Sequence, residues 1–165
     1  MMTSSFVTIL LADRPDLAAN WAELHWREWG DEPGREQLSW WVEQASKAVQ
    51  RTRVPTAFIA LGADDDVLGG VGVAPFDLDE RQDRSPWVVG TMVRPDRRGE
   101  GIGHALMARL EAWAAEIGID QLWVATGGQA VLFYQQCGWE RVEDLLTKHG
   151  EMATILTKQT SPPVL

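Results

Sequence analysis

At 165 residues the chain is long enough for one domain whose core needs neither disulfide nor metal staples, and no metal is expected. Its formal net charge of −9 excludes a general nucleic-acid binder, which needs clustered Lys and Arg. The single cysteine, Cys137, excludes an internal disulfide and fits a reducing, cytoplasmic setting; Met1–Phe6 lacks the basic and apolar regions of a signal peptide, and no apolar run approaches the about 18–20 residues of a membrane span.

Phe6–Leu11 is a short apolar run and reads as a strand. Asp13 or Asp16 can cap a helix running to about Trp29, with Leu17, Trp21, Leu24 and Glu28 at helical spacing. Gly30-Asp31-Glu32-Pro33-Gly34 is a break, after which Arg35–Arg51 reads as a second helix with Leu38, Trp41, Val42, Ala45 and Val49 on one face. Thr56–Leu61 and Val67–Ala74 form a hairpin around a turn rich in Gly and Asp. Pro75–Pro86 is polar and irregular, a loop long enough to suggest a function. Trp87–Val93 is a further hydrophobic strand. A basic turn, Arg94–Glu100, leads into a strong helix from Gly101 to Ile117, whose stripe is Ile102, Leu106, Leu110, Trp113 and Ile117; Gly118 stops it. Gln121–Thr126 reads as a strand, Gln129–Cys137 as a short helix, Trp139–Leu145 as a strand with Met152–Leu156 beside it, and Thr160–Leu165 as a loose tail. The whole is one mixed α/β domain over residues 1–158, with a flexible tail at 159–165. The apolar edge at Trp139–Leu156 can support a homodimer.

The informative segment joins a buried strand to an amphipathic helix: Val93-Arg94-Pro95-Asp96-Arg97-Arg98-Gly99-Glu100-Gly101-Ile102-Gly103-His104-Ala105-Leu106. Glycines let backbone approach a ligand closely. The first amides of a helix have no partner within it and carry partial positive charge, which suits a pyrophosphate. Arg98 can add a bidentate, charge-assisted contact. A P-loop would require Gly-Lys followed by Ser or Thr, whereas His104 follows Gly103 here. A dinucleotide fingerprint would require its three glycines directly after the strand, with the third one residue later. A ligand-free glycine turn is the plain alternative.

Arg98-Gly99-Glu100-Gly101-Ile102-Gly103 matches the R/Q-x-x-G-x-G/A signature of the GNAT acyltransferase superfamily, and Ala130, Phe133-Tyr134 and Cys137-Gly138-Trp139 look like its second segment. The order of elements from about Phe6 to Thr157 also resembles that family. Asp77, Pro86 and Trp87 resemble a bacterial, small-molecule-like branch. The resemblance implies a GNAT fold: a central, mostly antiparallel sheet of six to seven strands, splayed at the cofactor slot and flanked by about four helices. It implies acetyl-coenzyme A as cofactor. The amides of Arg98, Gly99, Glu100, Gly101, Ile102, Gly103 and His104 would bind its pyrophosphate. The edge at Met92 and Val93 would pair with the pantetheine arm, Ala130 and Phe133 would border the cofactor, and Tyr134 would sit near the thioester sulfur. One departure stands out. Gly127 replaces the asparagine that often lies seven residues before the tyrosine, so Thr126 or Gln129 would have to take over its contact.

Acyl transfer to an amine needs a proton acceptor, donors for charge developing on the thioester oxygen, and an acid for the departing thiolate. An amide such as that of Val93 serves the second need and Tyr134, the only tyrosine, the third. The strand Trp87–Val93 carries no carboxylate, so Asp77 and Asp79 are the leading bases, with Glu23, His25 and Glu28 next. Cys137 has no accompanying histidine motif and reads as an inert thiol. The acceptor is expected over the slot, between the first two helices and the Pro75–Pro86 loop, with some of Trp21, Trp26, Trp29, Trp40 and Trp41 walling it. A small-molecule amine is the leading acceptor. A peptide amine and a non-catalytic acyl-coenzyme A sensor are the alternatives.

Overall fold

The computed structural model describes residues 5–160. The reading of the first residues as no signal peptide, and of the tail beyond Thr160, falls largely on residues 1–4 and 161–165, outside the described part. The strands are β1 (Val7–Leu10), β2 (Thr56–Leu61), β3 (Val67–Ala74), β4 (Trp87–Val93), β5 (Gln121–Thr126), β6 (Glu140–Leu146) and β7 (Met152–Gln159). The α-helices are α1 (Ala18–Trp29), α2 (Leu38–Lys47), α3 (Ile102–Glu116) and α4 (Ala130–Gln136). The strands form one open sheet in the order β1-β2-β3-β4-β5-β7-β6. β1 with β2, β5 with β7, and β6 with β7 are antiparallel, while β4 runs parallel to β5. This is the mixed sheet with four helices that the resemblance implies.

The chain divides into two compact units, Met1–Gly72 with Gly90–Leu110 and Val73–Val89 with Glu111–Leu165; the boundaries fall inside β3, β4 and α3. The first unit is organised by a core of Leu11, Leu17, Trp21, Leu24, Trp41, Ala45, Ile59, Leu61, Val67 and Met92. β2 is buried along its whole length, which is why its sequence shows no polar alternation. Trp21 is fully buried and lies directly on β3. A β-carbon at Gly70 would come within 2.9 Å of the Trp21 ring and 2.8 Å of Phe58 O, so only glycine lets the indole sit there.

Two helix boundaries differ from expectation. The first helix begins at Ala18, after 3-10 turns at Leu11–Asp13 and Pro15–Leu17, and neither aspartate caps it. Asp16 instead accepts from Arg14 at 2.9 and 3.0 Å, and Asp13 pairs with Arg51. The second helix is the ten-residue α2 rather than Arg35–Arg51. The carbonyls of Arg35 and Glu36 accept the indole N–H groups of Trp41 and Trp26, at 2.8 and 3.0 Å. Beyond the helix, Val49 bridges to Thr56 in antiparallel fashion.

In the second unit, β5 pairs with β7 from Gln121 to Thr126, whereas the β4–β5 ladder pairs Trp87 with Trp123 and Val88 with Val124 at the start of β4. The loop before β4 is anchored on β6. Arg81 and Arg84 reach Glu143 at 2.7 and 2.8 Å, and their guanidinium groups hold its carboxyl down at about 2. Arg84 also lies over the Trp123 ring, 4.7 Å from its centroid. β6 lies at one edge of the sheet and exposes Val142 and Leu146. Thr160 is tied back by its amide to Asp120 O at 2.9 Å, so the segment is held up to that residue.

Replacing Gly70 with alanine should lower unfolding stability by about 1–3 kcal/mol, because the new methyl group overlaps both a backbone carbonyl and an indole. Urea denaturation checks this, and an unchanged midpoint would mean that Trp21 can move away freely.

Candidate active site

The turn after β4 is braced by its own charges. Arg94 N–H donates to Leu68 O at 2.8 Å, and the Arg94 side chain pairs with Asp66 at 2.8 Å and Asp96 at 2.7 Å. Arg97 bonds Glu100 at 2.8 Å. Two of the three arginines that make this segment look basic are therefore matched by carboxylates. Arg98 is exposed and donates through Nε to a carbonyl, Val93 O, at 3.1 Å. Among the described ion pairs it takes part in none. Its charge is thus the one the turn can direct at an anion.

Gly99 and Gly101 have φ of 82° and 84°, where L side chains are strained, and a β-carbon at either would meet no heavy atom within 4 Å. Backbone conformation, not crowding, demands glycine there. α3 starts at Ile102, and Ala105 N–H folds back onto Gly101 O at 3.0 Å. None of the described hydrogen bonds has the amide of Ile102 or Gly103 as its donor. The helix cannot rotate to hide them, because Ile102, Leu106, Met107 and Leu110 are all buried. Met92 and Val93, at the end of β4, run straight into this turn, so the strand and pyrophosphate residues singled out from sequence form one continuous strand–turn–helix.

His25, on α1, is not the surface base that its sequence position allows. Its ring lies 3.8 Å from the Trp21 ring, 5.4 Å from Trp29 and 5.8 Å from Trp41, centroid to centroid. Nε2 lies 2.8 Å from Gly90 O. Burial pushes its pKa down to about 4, so the ring is neutral at pH 7 and Nε2, facing a carbonyl, carries the single ring hydrogen. Glu23 bonds Arg27 at 2.6 Å, and Glu28 is exposed.

The remaining residues belong to the second unit. Ala130, Phe133 and Tyr134 share α4. Tyr134 is buried and meets Trp139 and Phe133 edge-on, at 5.3 and 5.2 Å. Its carbonyl accepts from Trp139 N–H at 3.0 Å, which closes the helix end through Gly138 at φ 87°. Burial raises the Cys137 thiol, as expected of an inert one. Asp77 is exposed in the loop before β4. Asp79 pairs with Lys148, which holds its carboxyl below the ordinary range and weakens it as a base. Sequence reasoning missed the partnership of His25 with Gly90. The available signal was a lone glycine in the middle of a largely apolar strand, which marks a bend or a close approach.

Residues 17–139 match the model of the acetyltransferase (GNAT) family. The chain is 31% identical over 151 residues to an aminoglycoside N(6')-acetyltransferase type 1 of Stenotrophomonas maltophilia, covering 86% of this chain and 92% of that protein. Among solved structures, an aminoglycoside 6'-N-acetyltransferase complexed with coenzyme A superposes with a TM-score of 0.75 at 16% identity, over 96% of this chain and 99% of the other. The aminoglycoside 6'-N-acetyltransferase from Enterococcus faecium gives 0.73 at 17% identity, with the same coverage. No helix among the described residues is long and apolar enough to cross a membrane.

A half-buried imidazole, desolvated by its tryptophan neighbours, that stays neutral to about pH 4 makes folding pH-dependent. Its ordinary value is near 6.5, so between these two values the unfolded chain binds the extra proton. Stability should therefore fall as pH drops from 6.5 towards 4, by about 2 kcal/mol between pH 7 and pH 5. Denaturant unfolding at both pH values should show this difference in the parent and a much smaller one in His25→Gln. Equal pH slopes would contradict the desolvated, neutral ring.

Proposed function

The chain belongs to the GNAT acetyltransferase family, and we propose that it transfers an acetyl group from acetyl-coenzyme A to a primary amine of a small, polycationic acceptor of the aminoglycoside class, by direct attack in a ternary complex. The observation that carries this reading is the Val93–Gly103 strand–turn–helix, with left-handed glycines, opening helix amides that donate in none of the described hydrogen bonds, and an arginine that takes part in none of the described ion pairs. The acceptor class is supported by the relative named above and by the net charge of −9, which favours a polycation over an anion.

The donor set suits coenzyme A. A diphosphate needs several N–H groups and nearby positive charge, and the amides from Arg98 to His104 with the Arg98 guanidinium supply both. When bound, acetyl-coenzyme A supplies an activated thioester and a thiolate leaving group. The main chain at Met92 and Val93 receives the amide-bearing arm as an added strand, and Val93 N–H stabilises charge developing on the carbonyl oxygen. Ala130 and Phe133 border the arm, and Thr126 or Gln129 replaces the contact that Gly127 cannot make. The Tyr134 hydroxyl donates a proton to the departing sulfur, and Asp77 takes the proton lost by the attacking amine. No side chain needs to be acylated, because both reactants are held together.

Free-thiol release from acetyl-coenzyme A, measured across aminoglycosides, simple amines and peptides, should be fastest with an aminoglycoside; a preference for peptides would overturn the acceptor class. In Gly103→Asp, a carboxylate in the first helical turn is compatible with the helix but repels a diphosphate. Calorimetry should show acetyl-coenzyme A binding weakened at least about tenfold, or 1.4 kcal/mol. Tyr134→Phe should lower kcat more than it weakens cofactor binding, and turnover equal to the parent's would remove Tyr134 from the mechanism.

A further inference from the structure

Gly90 lies in the middle of β4 with φ 62°, a left-handed kink inside a strand. A residue in that conformation breaks the regular alternation and re-aims whatever follows it. Its carbonyl accepts from His25 Nε2 at 2.8 Å. The imidazole is pressed against this glycine, since a β-carbon here would lie 2.9 Å from Nε2 and 3.0 Å from Cε1.

Trp21, Trp29 and Trp41 surround the ring, and Trp21 is itself seated on Gly70. A phenylalanine or leucine would fill such a box without burying a polar ring. What the histidine adds is one N–H, directed at one carbonyl. The low pKa of the ring agrees with this geometry, because a neutral imidazole keeps that single hydrogen in place across the physiological range.

We propose that His25 is a positioning residue for acyl transfer: its Nε2–H holds the kink at Gly90 and so sets the main-chain direction of Thr91, Met92 and Val93. This rests on the reading above, in which the main chain at Met92 and Val93 meets the acyl donor. Val93 lies three residues beyond the kink, about 10 Å along the strand, so a 10° change at Gly90 would swing it by about 2 Å. The bond from Arg94 N–H to Leu68 O pins the far end and limits that swing. A misplacement of 1 Å at a reacting centre can still cost roughly a hundredfold in rate, and a part of that should survive the pinning.

His25→Phe keeps an aromatic ring in the box and removes the donor, while His25→Gln returns an N–H at a similar reach. Hydrogen exchange should show residues 90–93 exchanging about tenfold faster in His25→Phe, with residues 98–103 unchanged. With acetyl-coenzyme A and an aminoglycoside, kcat should fall about tenfold while KM for acetyl-coenzyme A moves less than about twofold. His25→Gln should bring both exchange and kcat back to within about threefold of the parent. Parent-like exchange and kcat in His25→Phe would overturn the proposal, as would a glutamine variant no better than phenylalanine. If the parent itself released no thiol with any amine, the transfer reading would fall, and the exchange comparison alone would decide whether His25 sets the strand.

Discussion

The left-handed backbone at Gly99 and Gly101 is the constraint on which the candidate site depends. It turns the chain from the end of β4 into α3 within a few residues, leaving the first amides of the helix directed away from its own carbonyls. A side chain at either glycine would strain that turn although there is room for it. The burial of Ile102 and Leu106 then fixes the rotation of the helix, and with it the direction of the amides. Fold energetics and the proposed anion recognition thus rest on the same few residues.

Charge is organised around this turn with some economy. Arg94 and Arg97 spend their guanidinium groups on Asp66, Asp96 and Glu100, so they act as braces. Arg98 reaches back to the last carbonyl of β4 and keeps its charge for something outside the turn. α1 and α2 together contribute a tryptophan box, and α1 one histidine N–H directed at Gly90, the only strand residue with a left-handed conformation among the described residues. The strand is therefore held at two points, its kink and its end, each by a bond to a main-chain carbonyl.

Much of this was legible in the amino-acid order. β2 to β5 were readable to the residue because each is a largely apolar run bounded by turn-forming or polar residues. The glycine turn was readable because three glycines, a preceding arginine and a following amphipathic stripe leave little else for the segment to do. Residues 35–37 were overread as helix, since periodicity does not reveal that their carbonyls serve the indoles of Trp26 and Trp41. The capping role given to Asp13 and Asp16 failed for a related reason: nearby arginines compete for the same oxygens. Arg94 looked like part of a ligand cluster because its partner Asp66 is 28 positions away in sequence. His25 was readable as a titratable group, but its depressed pKa and its partner depend on three tryptophans and a glycine that only the fold assembles.

The central claim is that the amides opening α3 grip the diphosphate of coenzyme A. Titrating the 15N-labelled protein with coenzyme A and following backbone amide shifts tests it most directly. The account predicts that the largest, saturable shifts fall on residues 99–104 and the Arg98 side chain, with smaller ones along Met92 and Val93. Binding that left those amides unmoved, or no binding at all at millimolar ligand, would contradict it.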